Sequence, residues 1–167
     1  MSAGAAVSRD RMLAVLDTVM DPEVPVLSVV ELGIVREVEV QEAAVRVTVT
    51  PTYSGCPAMH VIEREIDAAL RANGATAVEI TTRHSPAWTT DWMPPLAREK
   101  LRAYGIAPPG PAAAQQLVGI GRRRPSVECP YCGSARTELR SEFGATACKA
   151  IHTCLECQQP FEEFKPI

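Results

Sequence analysis

Two pairs of cysteines, Cys129 with Cys132 and Cys154 with Cys157, carry the plainest chemistry in this chain of 167 residues. They read C-P-Y-C-G and C-L-E-C-Q, with 21 residues between the pairs. In a C-x-x-C loop two thiolates turn toward one point while backbone N–H groups face the sulfurs. Two such loops close a tetrahedral S4 site. Zinc is the leading ion, although C-P-x-C-G also suits a rubredoxin-type iron site and four thiolates also hold a cluster. Disulfides are the competing use, since six cysteines allow 15 pairings. Residues 1–11 lack a basic start followed by an apolar core, which predicts a cytoplasmic protein, where disulfides rarely persist.

A closed S4 site leaves no position for a substrate, so its expected role is structural. The 43 residues of 125–167 are too few to fold readily alone, and metal binding supplies the missing free energy. Cys148 lies six residues before Cys154. Burial as a small apolar side chain is its leading reading, beside a substitute ligand and a reactive thiol. His152 is expected at the surface of the strand that leads to Cys154.

The sixth cysteine stands apart. Cys56 follows Ser54-Gly55 and precedes a helical pattern, so free N–H groups and the positive end of a helix dipole are expected to favour its thiolate. Such a thiolate binds a metal or attacks an electrophile. An inert, buried cysteine at a tight loop-to-helix turn is the equal alternative. A phosphatase-like loop needs an arginine where Ile62 stands, and a thioredoxin motif needs a second cysteine at Met59. Neither enzyme reading survives. Asp21, ahead of Pro22, is a turn former on local grounds; His60, one helical turn after Cys56, is spaced to share its face but reads as a surface or satisfied histidine, and His84 approaches only through the fold.

The elements that position these residues follow from periodicity. Ser8 caps a helix predicted to run through Met20, with Met12, Leu13, Leu16 and Val19 on its apolar face. D-P-E-V-P at residues 21–25 ends it. Strands are predicted at 34–40 and 45–50, the second alternating Val45, Val47 and Val49 with polar residues, and the short link between them makes a hairpin. A helix with Pro57 in its first turn carries Met59, Ile62, Ile66 and Leu70 on one face, and Asn73-Gly74 closes it. A third strand holds Val78, Ile80 and Thr82. Asp91 is expected to cap a last helix ending at Gly105. The order α-β-β-α-β-α predicts a small α+β domain with a mixed sheet over residues 1–106. A Pro- and Gly-rich linker occupies 107–124, and a zinc ribbon 125–167, with a hairpin from Thr137 to Phe143, a turn at Gly144 and a return over 148–154.

Composition sets limits on partners. With 46% apolar and 22% charged residues the chain is of ordinary globular make-up, and no apolar run is long enough to cross a bilayer. Arg122-Arg123-Arg124 beside a ribbon suggests nucleic acid, but residues 125–167 hold four Lys and Arg against six Asp and Glu, and residues 1–121 hold ten against fourteen. Such acidic segments disfavour a phosphate-binding surface. Trp88 and Trp92, in W-T-T-D-W, are candidates for a partner-binding ridge or for core packing.

At D-P-E-V-P, T-P-T-Y-S-G-C-P-A and W-T-T-D-W-M the chain resembles the family of small metal-sulfur cluster biosynthetic proteins. The added C-P-Y-C-G, T-A-C-K-A and C-L-E-C-Q-Q-P-F resemble its ribbon-bearing subgroup, the D (or J) subunits of phenylacetyl-CoA epoxidase systems. The resemblance implies an accessory role beside a multicomponent di-iron oxygenase in aerobic phenylacetate degradation. It matches Cys56 to the family's reactive cysteine, Asp21 and Glu23 to its acidic turn, and Cys129, Cys132, Cys154 and Cys157 to the ribbon ligands. His152 departs from the aromatic expected there. The chain has three histidines, no Glu-x-x-His pair and no dinucleotide fingerprint, so it is neither oxygenase nor reductase by its own residues. The implied functions are iron-sulfur or metal-centre maturation through Cys56, with transient iron or cluster as cargo. A non-catalytic structural or regulatory subunit is the alternative. The implied partners are the oxygenase and reductase subunits and a second copy of the chain.

Overall fold

The computed structural model describes residues 6–111 and 126–167. The triple arginine 122–124 and most of the expected linker lie outside them. The chain divides into two compact units, Met1–Trp88 and Thr89–Ile167.

In the first unit, α1 (Arg9–Leu16) starts where the Ser8 hydroxyl accepts the N–H of Arg11. It stops four residues short of the expected Met20. The hydroxyl of Thr18 bonds back to the carbonyl of Val15, and the N–H of Val19 turns to Leu16. Val19 then accepts from Val29, and Met20 bridges to Ser28. The apolar spacing ran past the helix because Val19 is buried by an extended segment instead. Strands β1 (Val35–Gln41) and β2 (Ala44–Val49) form the expected antiparallel hairpin, with Glu42 in a left-handed conformation at the turn. Then α2 (Met59–Ala72) carries the chain to β3 (Ala77–Thr82), which lies parallel to β2. The sheet order is β1-β2-β3, a mixed sheet as the α-β-β-α-β pattern predicts. Pro57 falls in the turn before α2 rather than inside it.

One sheet face presents Val38, Val45, Val47 and Val49, all buried, to the helices. Helix α2 buries Met59, Ile62, Ile66 and Leu70, a stripe at helical spacing. Each such side chain contributes about 1.5–3 kcal/mol. This stripe fixes α2, and hence the loop that enters it. Trp88 is buried here too, its indole N–H donating to the carbonyl of Leu32 at 3.0 Å, so it packs in the core rather than forming a ridge.

The second unit opens with a 3-10 turn at Thr90–Trp92, capped by Thr89, and α3 (Pro95–Tyr104) follows. Asp91 therefore sits inside the short turn and does not cap α3, which begins at Pro94-Pro95, with proline at the first helical position. Gly105 ends α3 at φ 92°, and a Cβ there would stand 2.7 Å from the Tyr131 hydroxyl. Next come β4 (Ile106–Ala107), β5 (Thr137–Ser141), β6 (Lys149–Cys154) and β7 (Pro160–Phe164). They form one sheet in the order β4-β7-β6-β5. The β5–β6 hairpin forms over the expected segments, with its register shifted between Leu139 and Ser141, but β4 and β7 have no counterpart in the periodicity. The boundary drawn at 106/107 falls inside β4, which pairs in parallel with β7.

Candidate functional site

The ribbon sheet ends in the two cysteine loops. In the first, the N–H of Gly133 returns to the carbonyl of Cys129 and the N–H of Cys129 donates to Ser134. In the second, the N–H of Cys154 donates to Gln159, and that of Cys157 approaches Cys154 Sγ at 3.5 Å. The residue after each loop is left-handed, Gly133 at φ 74° and Gln158 at φ 60°. That matching geometry turns both loops onto one point. Cys129 Sγ lies 3.7 Å from Cys157 Sγ, Cys132 Sγ lies 3.5 Å from Cys154 Sγ, and all four sulfurs fall within 4.8 Å of one another.

These separations fit four sulfurs about 2.3 Å from one ion. The electrostatics fit as well. Backbone N–H groups of Cys157 and Glu156 pull Cys154 down to about 6. The N–H of Gln159 acts the same way on Cys157, yet burial and the three neighbouring thiols push that group up to about 12. Four thiolates this close repel one another until a cation joins them. Cys148 is buried outside the cluster, its sulfur 3.1 Å from the Thr146 hydroxyl, the placement expected for it.

His152 corrects an expectation. It is buried, not at the surface: its Nε2 lies 2.8 Å from a Glu163 carboxylate oxygen, and its ring stacks on Phe161 at 5.5 Å between centroids. Beside it, Lys149 is buried and donates to Glu162 at 2.8 Å. Strand β7 supplies Phe161, Glu162 and Glu163 to this network, and no local pattern announces β7, so the residues around His152 point to a surface position.

Cys56 stands in the loop that runs from β2 to α2. Pro51 and Thr52 are buried at its start, and Gly55 takes φ 82° at its tip. The N–H of Cys56 turns back to Tyr53, and Met59 turns back to Cys56. The thiol is half-buried. Burial raises its pKa above the ordinary value; the Ala58 N–H opposes that as the helix start predicts, and Glu23 and Asp21 add to the rise. Desolvation and the two carboxylates thus act against the thiolate that the helix N-terminus was expected to favour. Asp21 is buried, and its Oδ1 accepts from the N–H of Glu23 at 2.8 Å and of Val24 at 2.7 Å. This turn holds the acidic pair where its charge reaches Cys56. His60 and His84 are exposed. An open groove of about 530 Å³ runs between residues 18–22 and α2, with Met20 and Val61 exposed along it.

Fold and site together define a class: an iron-sulfur assembly-type α+β domain followed by a four-cysteine ribbon. Residues 9–81 match the profile of the family described as "Iron-sulfur cluster assembly protein", and residues 113–165 match that described as "PaaD zinc beta ribbon domain". The chain is 46% identical, over 92% of its length and 90% of the relative's, to the Escherichia coli (strain K12) protein named as the D-type subunit of a "Putative 1,2-phenylacetyl-CoA epoxidase". It belongs to that family, the PaaD family. It is also 32% identical to a Bacillus subtilis (strain 168) Fe-S protein maturation auxiliary factor, over 58% of this chain and 87% of that one. Two solved structures share the fold. A domain of unknown function from Bacillus anthracis gives a TM-score of 0.53 at 28% identity, covering 55% of this chain and 89% of that one. A conserved hypothetical protein from Thermotoga maritima gives 0.50 at 32%, covering 57% and 94%. Among the described residues no helix is long and apolar enough to cross a membrane.

Proposed function

We propose that this chain is an accessory subunit of a phenylacetyl-CoA epoxidase system in the cytoplasm, and that it helps to mature the iron-sulfur or other metal centre of a partner subunit through Cys56. The observation that carries the reading is the loop itself: a half-buried thiol at the start of α2, beside the acidic turn of Asp21 and Glu23, within an iron-sulfur assembly-type domain. Iron or a cluster is cargo here, and the chain performs no catalytic step. A raised thiol pKa suits a transient carrier: the resting group is a neutral thiol, and an incoming cation favours loss of its proton. One thiolate cannot hold a cluster, so a second copy of the chain, a partner or a small thiol completes the ligand set. The ribbon holds zinc through Cys129, Cys132, Cys154 and Cys157 as a structural ion and presents a surface to the oxygenase or reductase. On this reading the unit that bears Cys56 carries the assembly role and the ribbon of 125–167 the docking role.

Co-expression of the Cys56→Ser variant with the reductase tests the reading. The expected result is a folded variant with its ribbon metal retained and a reductase depleted in iron and sulfide. Full cluster loading of the reductase would sink it. Were the variant also to co-purify normally with the oxygenase, the second reading, a purely structural or regulatory subunit, would take its place. The 46% identity to a protein named as an epoxidase subunit favours that alternative over a nucleic-acid-binding ribbon.

A further inference from the structure

Strand β3 is an edge of the first sheet: it pairs with β2 and with no other strand among the described residues. Its backbone direction is fixed by one bond beyond its end, where the N–H of Arg83 donates to the Val49 carbonyl on β2 at 2.8 Å. Alternation then turns the N–H and C=O groups of Val78, Ile80 and Thr82 away from the sheet. The side chains alternate as well. Glu79, Thr81 and Arg83 share the face on which Arg46 bridges Glu39 and Glu79 and Arg83 bridges Glu37 at 3.5 Å; all three are exposed, and ion pairs at such exposed sites are weak enough to exchange partners. Val78 and Ile80 point toward the helix layer yet remain half-exposed.

We infer that β3 pairs antiparallel with β3 of a second copy of this chain, about a two-fold axis at Thr81. Charge selects both the occupant and the register. With the axis at Thr81, Glu79 stands opposite Arg83 of the partner subunit, and symmetry repeats the pair. An axis at Glu79 sets two glutamates face to face, and an axis at Ile80 or Thr82 leaves the charges opposite neutral residues. All four registers let outward backbone groups meet, and only the first matches opposite charges. Thr81 then faces its own copy in a non-hydrogen-bonded pair, the closer kind, about 4.5 Å between Cα atoms. The product is a continuous six-stranded sheet whose centre lies at the C-terminal end of β3, level with the end of β2 that feeds the Cys56 loop. One strand edge buries less than a standard interface, so the dimer is weak and depends on concentration. The inference gives a surface to the second copy invoked for Cys56, but it stands on the sheet alone, whatever Cys56 carries.

Sedimentation of the full chain over roughly 1–500 μM is expected to show a monomer–dimer equilibrium in the range of weak interfaces. Glu79→Arg and Arg83→Glu, each alone, set like charges opposite and are expected to weaken dimerisation about tenfold, while the double reversal restores it. Under mild oxidation Thr81→Cys is expected to give a disulfide-linked dimer, read as the linked peptide by mass spectrometry, and Ala77→Cys is not. A monomer throughout with no Thr81→Cys link overturns the proposal. So does a dimer indifferent to both single reversals, or equal linking at both positions. Since the readout is mass, failure here leaves the cluster-loading result untouched, and the reverse holds too.

Discussion

Cys132 Sγ and Cys154 Sγ lie 3.5 Å apart across two loops that the β5–β6 hairpin brings together. That contact makes one four-sulfur centre from two sequence-distant motifs, and it separates these thiols from Cys56 and Cys148. Elemental analysis is expected to find one metal per chain in the wild type and in Cys56→Ser and Cys148→Ser, and to find it lost in Cys132→Ser and Cys154→Ser. Loss in Cys56→Ser would mean that the cysteines are divided wrongly. Because thiols must shed their protons to bind, the metal should also leave as pH falls, with affinity dropping on acidification.

The Cys56 thiol should react slowly. Burial and the Glu23 and Asp21 carboxylates hold its pKa above that of an ordinary cysteine, so less of it is thiolate at neutral pH. Alkylation by iodoacetamide, followed by peptide mass spectrometry, is expected to rise with pH and to reach half its maximum above the midpoint of an unstructured cysteine peptide. Glu23→Gln removes one of the charges and should move that midpoint down. A midpoint below the peptide's contradicts the assignment.

Asp21 holds a turn as well as a charge. Its Oδ1 accepts two backbone N–H groups in a buried setting, so Asp21→Ala should cost about 1–3 kcal/mol in chemical denaturation. Asp21→Asn keeps an acceptor oxygen and should lose less. Equal losses in the two variants would show that charge, rather than the turn, sets the cost.

In the ribbon, His152→Phe strands the Glu163 carboxylate inside the sheet. Leaving a buried hydrogen-bonding group without its partner costs about 1–3 kcal/mol, and more where the group is charged. Joining it to Glu163→Leu removes the orphan and should recover most of the loss, measured by thermal unfolding of the metal-loaded protein. Additive destabilisation in the double variant would rule out the pairing as its source.

What could be read without a structure was local. The spacing of Cys129, Cys132, Cys154 and Cys157 implied one centre, because a C-x-x-C loop aims its own sulfurs and a hairpin is the short way to join two loops. Alternating valines gave β2, and the apolar stripe from Met59 to Leu70 gave α2, because side-chain period follows backbone geometry. The apolar period predicts a longer α1 than forms, since the periodicity of Val19 and Met20 says that a face is apolar but not what buries it.

The α-β-β-α-β-α order, the four-sulfur constellation and the isolation of Cys56 at a helix start are written in the chain, each set by neighbours a few residues apart. That β7 covers His152 and that β4 joins the ribbon sheet emerges only on folding: no alternating pattern announces β7, which sets Phe161 opposite His152, and β4 finds β7 far along the chain, Ile106 opposite Glu162. The groups that act on the Cys56 thiol are brought together there as well. A helix start is legible in the residues around it, but desolvation and the charges of Glu23 and Asp21 depend on which distant residues fold against the thiol.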